Sequence, residues 1–173
     1  NLNQCVVAPL PVDVSRFTSI PIGPKVPGRV VSVGRLTRFK SYQRNVLPVI
    51  AKLRWQGMPI ELHFHGDGAE ERNLRGLVCR YDLEKHVYFH GPVPYSALPE
   101  VFHSAWAFLG MGTSVVQAAA AGVPALVAVE SSALPETFGF LSETDGFGAG
   151  EIGTPSTRQR IEDKLRHLYT HPE

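Results

Sequence analysis

Cysteine is scarce in this chain: Cys5 and Cys79 are the only two among 173 residues. Neither lies in a C-x-x-C or a Cys/His metal spacing, so no disulfide framework or zinc site is indicated. Both thiols are expected to be small, buried or half-buried groups. An excess of either charge is missing too, since 17 Lys and Arg face 16 Asp and Glu for a formal charge of +1. That balance argues against a general nucleic-acid or membrane-surface binder, which needs a large basic surplus. No apolar run reaches the ~18 residues of a membrane span. No signal peptide opens the chain, and Asn1 in place of Met suggests a fragment. Internal repeats and low-complexity tracts are absent. So are the full G-x-G-x-x-G fingerprint and the G-x-x-x-x-G-K-[ST] of a P-loop, which argues against an ATPase of that class.

What is present describes one globular domain. The length suits a single core, and 43% hydrophobic with 19% charged residues is an ordinary balance. Residues 1–28 carry Pro9, Pro11, Pro21, Pro24 and Pro27, too many for a helix or central strand. They read as an extended lead-in or inter-domain segment, with room for a short strand at Cys5–Ala8. From Arg29 to the end, strands and helices alternate. Strands are expected at Arg29–Val33, Ile60–His65, His86–Phe89, Ala105–Leu109 and Pro124–Val129. Between them, helical spacing of apolar residues predicts helices near 43–56, 69–81, 96–103 and 113–121, and a last one near 157–169. Ser96 and one of Thr113 or Ser114 are candidate caps, and Gly122 a left-handed helix end. Such alternation means βαβ units and a Rossmann-like α/β fold, a parallel sheet with helices on both faces.

In that fold ligands bind beyond the carboxyl ends of the strands. The rule selects the loops Gly34–Ser41, Gly66–Ala69, His90–Tyr95, Gly110–Ser114 and Glu130–Glu136. In the first, Gly34 allows a sharp turn and close approach, and Arg35 and Lys40 can converge on an anion. A solvated basic turn is the other reading. Gly66-Asp67-Gly68 reads as a tight strand-to-helix turn. In the fourth loop, Gly110, Met111 and Gly112 precede Thr113 and Ser114, where a helix start offers free amides and partial positive charge to an anion. A plain connection remains open there. Taken together, a basic loop and a glycine-rich helix start on one sheet edge make a site for two linked phosphates, needing no metal from this domain. His63 and His65 share a strand face compatible with a metal pair, but no third ligand stands at a supporting spacing. His90, at a strand end, could contact a ligand.

The ordered segments VSVGRLTRFK, LHFHGDG, VYFHGPVPYSALPEVF, GMGTSVVQAAAAGVPALV and ALPE resemble the C-terminal, donor-binding domain of family 4 retaining glycosyltransferases of GT-B architecture. The resemblance runs from about Val30 to Glu136, and VDVSRF looks like the segment that precedes this domain. It implies a nucleoside diphosphate sugar as ligand, with no cofactor and no metal. Arg35 and Lys40 would hold the diphosphate with the backbone of Gly112, Thr113 and Ser114. Phe89, His90, Gly91 and Val93 would hold the base, and Gln117 the ribose. Gly110 and Met111 would lie on the sugar side. The family's two glutamates in E-x7-E correspond here to Leu109 and Gln117, and Ser41 follows Lys40 where glycine is common. Glu130 and Glu136 are substitute carboxylates for the sugar. The resemblance further implies an acceptor-binding N-terminal domain outside this chain, through which alone a membrane would be met. The setting implied is cytoplasmic, and the fragment alone should be inactive. A non-catalytic nucleotide-binding relative and a GT-B sugar-nucleotide epimerase are the alternatives.

Overall fold

The computed structural model describes residues 11–18, 25–144 and 158–171. The chain runs α1 (Val14–Thr18), β1 (Arg29–Val33), α2 (Tyr42–Trp55), β2 (Glu61–His65), α3 (Glu71–Arg80) and β3 (Val87–Phe89). It continues through α4 (Leu98–His103), β4 (Ala107–Gly110), α5 (Thr113–Ala120), β5 (Ala125–Ala128), β6 (Glu136–Phe140), β7 (Gln159–Arg160) and α6 (Ile161–Thr170). One seven-stranded sheet has the order β3-β2-β1-β4-β5-β6-β7. The first five strands are mutually parallel. Strand β6 then pairs antiparallel with β5, and β7 with β6. The sheet is therefore mixed where a parallel one was expected, with its five-strand parallel part as read from sequence.

Alternate residues of each strand feed two cores, as a strand period of two requires. Val30, Leu62, Phe64, Leu109 and Leu126 pack with α2, α3 and α6. Val31, Phe108 and Val127 pack with α1, α4 and α5 on the opposite face. Each fully buried Leu or Phe contributes about 1.5–3 kcal/mol, so helices are held to both faces. The nearly continuous apolar burial of β4 and β5 is what parallel strands covered on two sides need.

Several local expectations are corrected. The proline-rich lead-in holds one helical turn, α1, whose Phe17 is fully buried and whose Phe17 carbonyl lies 3.0 Å from Nε2 of His103. The expected strand at Cys5–Ala8 lies outside the described residues, as does the start of the last helix at Thr157. Ser96 falls inside a short 3-10 turn, Tyr95–Ala97, and caps nothing. Cys79 is exposed rather than buried, because it lies on the solvent side of α3 while Leu74 and Val78 face the core.

Candidate functional site

A doubly wound sheet opens a crevice where the strand order reverses. Here that point lies between β1 and β4, paired through Val30 with Ala107 and Val31 with Phe108. The chain winds outward from it toward β3 on one side and β5 on the other. The loops that leave β1 and β4 are thus neighbours at the crevice, and they are the basic loop and the glycine-rich helix start.

The loop after β1 is held on both flanks. Gly34 N–H donates to the His65 carbonyl at 2.8 Å and Leu36 N–H to that of Asp67 at 2.7 Å. Gly66 and Gly68 have φ of +144° and +151°, and a Cβ on either would collide with the carbonyls of Gly34 and Leu36. The Gly66-Asp67-Gly68 turn therefore serves to let two loops touch, beyond joining strand to helix. On the other flank, Ser131 N–H donates to the Phe39 carbonyl at 2.9 Å. Asn45 Nδ2 donates to the carbonyls of Ser132 and Leu134 at 2.9 and 3.1 Å. At its root, Gln43 Nε2 reaches the Arg35 carbonyl at 3.2 Å.

Lys40 folds back over this loop. Its Nζ stands 2.7 Å from where a Cβ on Gly34 would be, and Gly34 has φ +137°. The positive φ favours glycine there, while the lysine tip itself could move aside. Burial holds the Lys40 ammonium below the usual lysine range, and the Arg35 charge adds to the effect. The loop thus carries two cations that disfavour one another, and an anion between them would relieve this. Around them Thr37 Oγ1, Ser41 Oγ and Gln43 Oε1 are buried without a hydrogen-bond partner among the described residues. Such orphaned atoms are uncommon in a folded interior.

Across the crevice, α5 begins at Gly112, with φ +70° and ψ −151° and no side-chain cap. This corrects the expectation of a Thr113 or Ser114 cap. Ser114 Oγ instead donates backward to the Met111 carbonyl at 3.2 Å. The consequence favours a ligand, because the first-turn amides are not consumed by a hydroxyl. Gly122 does end the helix in the left-handed region, at φ +70°. Leu109 is fully buried in the core with α2 and α6, while Gln117 is buried on α5. Met111 is nearly buried. Glu130 is exposed. Glu136 accepts from Ser132 Oγ at 2.9 Å and pairs with Arg158 at 3.4 Å.

His90 has a neighbourhood that sequence spacing did not reveal. Its N–H donates to the Phe64 carbonyl at 2.9 Å, and Gly91 accepts from Gly66 N–H at 2.7 Å. Its ring stacks on His65, with centroids 4.4 Å apart, and its Nε2 lies 3.0 Å from Nδ1 of His63. With Arg29, Glu100 and Ser104 these rings line a cavity of about 300 Å³ on the α4 face of the sheet. The register that puts His63 beside Tyr88 on β3 creates the cluster. Among the described residues no group of three or more metal-ligating side chains is arranged to hold an ion, and none of the helices is long and apolar enough to cross a membrane. Phe89 and Val93 are half-buried beside the loop.

The chain is similar to several known proteins. A family model described as "Glycosyl transferases group 1" matches residues 22–173. Over 146 residues the chain is 29% identical to the "Putative colanic acid biosynthesis glycosyltransferase WcaL" of Escherichia coli strain K12, a match covering 77% of this chain and 36% of that protein. It spans about a third of the length of the curated relatives it matches. Among solved structures, one is the C-terminal domain of the glycosyl transferase group 1 family protein LpcC from Francisella tularensis. The TM-score is 0.57 at 17% identity, covering 94% of this chain and 85% of that one. Another is Alr3699/HepE from Anabaena, solved with UDP and glucose, with TM-score 0.58 at 18% identity over 82% of this chain and 38% of that one. Likeness at these identities establishes the fold, a Rossmann-like α/β unit of the GT-B type.

Proposed function

The chain belongs to the glycosyl transferases group 1 family, and we propose that it is the C-terminal, donor-binding half of a family 4 retaining enzyme. The observation that carries this reading is that the loop with Arg35 and Lys40 and the uncapped start of α5 leave adjacent strands, β1 and β4, at the reversal point of the sheet. A nucleoside diphosphate sugar would seat its two phosphates there, between the two cations and the amides of Gly112, Thr113 and Ser114. Phe89, His90, Gly91 and Val93 would border the base through main-chain groups, and Gln117 the ribose. Gly110, Met111, Glu130 and Glu136 would lie toward the sugar. In this scheme residues 29–173 form the binding domain, and 1–28 lead in from an acceptor-binding N-terminal domain. The enzyme would act in the cytoplasm and meet a membrane only through that other half.

Transfer breaks the bond between the sugar's anomeric carbon and the terminal phosphate oxygen, so negative charge grows on the diphosphate. Fixed cations and amides aimed at that oxygen stabilise the charge as it develops, without reorganising. Lys40 and Arg35 would do this without a metal. The acceptor, a saccharide or a lipid-linked one, would come from the other half, so this chain alone would bind donor and not consume it. Calorimetry with UDP, GDP and ADP tests the reading. One of the three should bind, and R35A and K40A should each weaken it by about 10-fold or more, the worth of a charge-assisted hydrogen bond. Unchanged affinity in both variants refutes the diphosphate assignment.

One observation favours a second reading, a relative that binds nucleotide without transferring sugar. Leu109 is core, and Gln117 stands where a carboxylate is usual, so neither brings a charge to the sugar. Turnover of donor by the full-length protein separates the two readings.

A further inference from the structure

The cations of the loop after β1 fall into two groups. Arg35 and Lys40 belong to the cradle over Gly34. Arg38 and Arg44 belong to a separate open basin of about 490 Å³, lined by these two arginines, Phe39 and Ser131. None of the cradle residues lines it.

The charge around this basin is one-sided. No acidic residue occurs anywhere between Asp13 and Glu61. Lys52, in that stretch, is paired across the fold with Glu162 at 2.8 Å. In contrast, the ion pairs among the described residues include none of Arg35, Arg38, Lys40 or Arg44. The carboxylate next to the basin along the chain is Glu130, exposed and likewise outside those pairs. Four like charges within ten residues repel one another, and bound anions would remove that cost.

The basin is also firmly built. Arg44 donates to the Arg38 carbonyl at 3.1 Å. The Phe39 carbonyl accepts from the N–H of both Ser41 and Ser131, at 2.8 and 2.9 Å. Ser131, which lines the basin, adopts φ +51°, an unusual conformation for a residue with a side chain. Phe39 shows 42% of its surface to solvent. The basin is thus lined by two arginines, one of which spends a guanidinium nitrogen on the Arg38 carbonyl, with a serine and an exposed phenylalanine beside them.

We propose that this basin is a second oxyanion site, which receives the acidic group of the acceptor: a phosphate or carboxylate on a sugar whose apolar face rests on Phe39. The proposal rests on the reading of this chain as a transferase half, and deepens it by naming the acceptor class. Guanidinium forks match the paired oxygens of either anion where ammonium groups do not. Arg38 is two residues from Lys40, so their Cα atoms are at most about 7 Å apart. The loops after β1 and β5 that line the basin both leave the carboxyl edge of the sheet, the edge at which ligands of this fold bind, so an acidic sugar held there would lie near the donor phosphates.

The test follows the arginine Nε–Hε signals of the chain by NMR during titration with glucose 1-phosphate, glucuronate and, as a neutral control, glucose. Titrations are run with and without saturating UDP, which keeps the acid sugars out of the cradle. The expected result is a salt-sensitive shift of Arg38 and Arg44 with both acid sugars, with or without UDP, and none with glucose. The variant R38Q/R44Q should weaken acid-sugar binding by about 10-fold or more while UDP affinity holds within about 2-fold. Absence of those shifts in the unmodified chain, or an equal response to glucose, overturns the proposal whether or not the variant folds. Loss of UDP affinity in R38Q/R44Q as large as in R35A/K40A overturns it as well, by merging the two sites. Sedimentation with phosphatidylglycerol vesicles that depends on Arg38 and Arg44, without any response to the acid sugars, would assign the basin to lipid headgroups instead. If UDP fails to bind but the arginine shifts appear, the donor reading falls and the anion site stands.

Discussion

His63, His65 and His90 all take a proton less readily than a free imidazole. Burial is the main cause for each and the Arg29 guanidinium pushes in the same direction; neighbouring imidazoles add to it at His63 and His65, and His65 is brought to about 4. The charged groups facing the cluster are Arg29 from β1, Glu61 from β2 and Glu100 from α4. Of these, Glu61 is the carboxylate within hydrogen-bond reach of the cluster, at 3.4 Å from His63 Nε2. The 3.0 Å contact between His63 and His90 needs one ring to donate and the other to accept, which a doubly protonated pair cannot do. In the unfolded chain these rings would take protons near pH 6.5, so below that pH the unfolded state binds more protons than the folded one. Stability is therefore full above about pH 6.5 and falls as pH drops toward 4. We expect H65Q to remove on the order of 1–3 kcal/mol of that pH-dependent loss. Urea melts at pH 7 and pH 4.5 check it, and equal pH dependence in H65Q and the parent contradicts the assignment. The shared face of His63 and His65 was readable from strand period. The arrival of His90 was not, because it depends on how β2 and β3 align.

At the scale of elements, glycines decide how near two loops come. Gly66 and Gly57 both have positive φ, +144° and +87°, but a Cβ on Gly57 meets nothing within 4 Å, whereas one on Gly66 strikes the Gly34 carbonyl. G57A should cost about 1–2 kcal/mol, the strain of a left-handed residue. G66A should cost roughly 3 kcal/mol or more, because backbone must move, and it should also weaken nucleotide binding by displacing the loop that carries Arg35 and Lys40. Chemical denaturation of the two variants gives the comparison, and equal costs would show that the two loops are not locked.

The same scale separates what was legible from what was not. The five parallel strands and the helices between them were marked by apolar period and by Gly or Pro at their ends. Strand β6, Glu136–Phe140, was not read as a strand, because Thr137 and Gly139 alternate with half-buried residues and leave little apolar signal. Thr137 is held instead by its hydroxyl, which donates to the Val127 carbonyl at 2.7 Å. The start of α5 was located correctly, with its free amides, but not its cap. A hydroxyl cap was expected, and a glycine at φ +70° leaves the amides open. Arg38 and Arg44 were not read as a pair, since only the fold brings Ser131 beside Phe39.

For the whole molecule, the proposed anion site has a consequence for stability. The loop after β1 holds Arg35 and Lys40 close enough to disfavour one another, and Ser41 Oγ and Gln43 Oε1 lack partners among the described residues, so a bound anion is expected to stabilise the fold. A ligand that binds only the folded state adds RT ln(1 + [L]/Kd), about 2.7 kcal/mol at a hundredfold excess over Kd. For a chain of this size each kcal/mol moves Tm by about 2–4 °C. The preferred nucleotide at that excess should thus raise Tm by about 5–11 °C, read by scanning calorimetry. R35A/K40A should abolish the rise at the same concentration, even though removing two mutually repelling cations should leave the variant's own Tm without nucleotide equal to the parent's or higher. A double variant that melts lower than the parent yet keeps the full nucleotide-dependent rise would mean that Arg35 and Lys40 hold the fold together and do not hold the ligand.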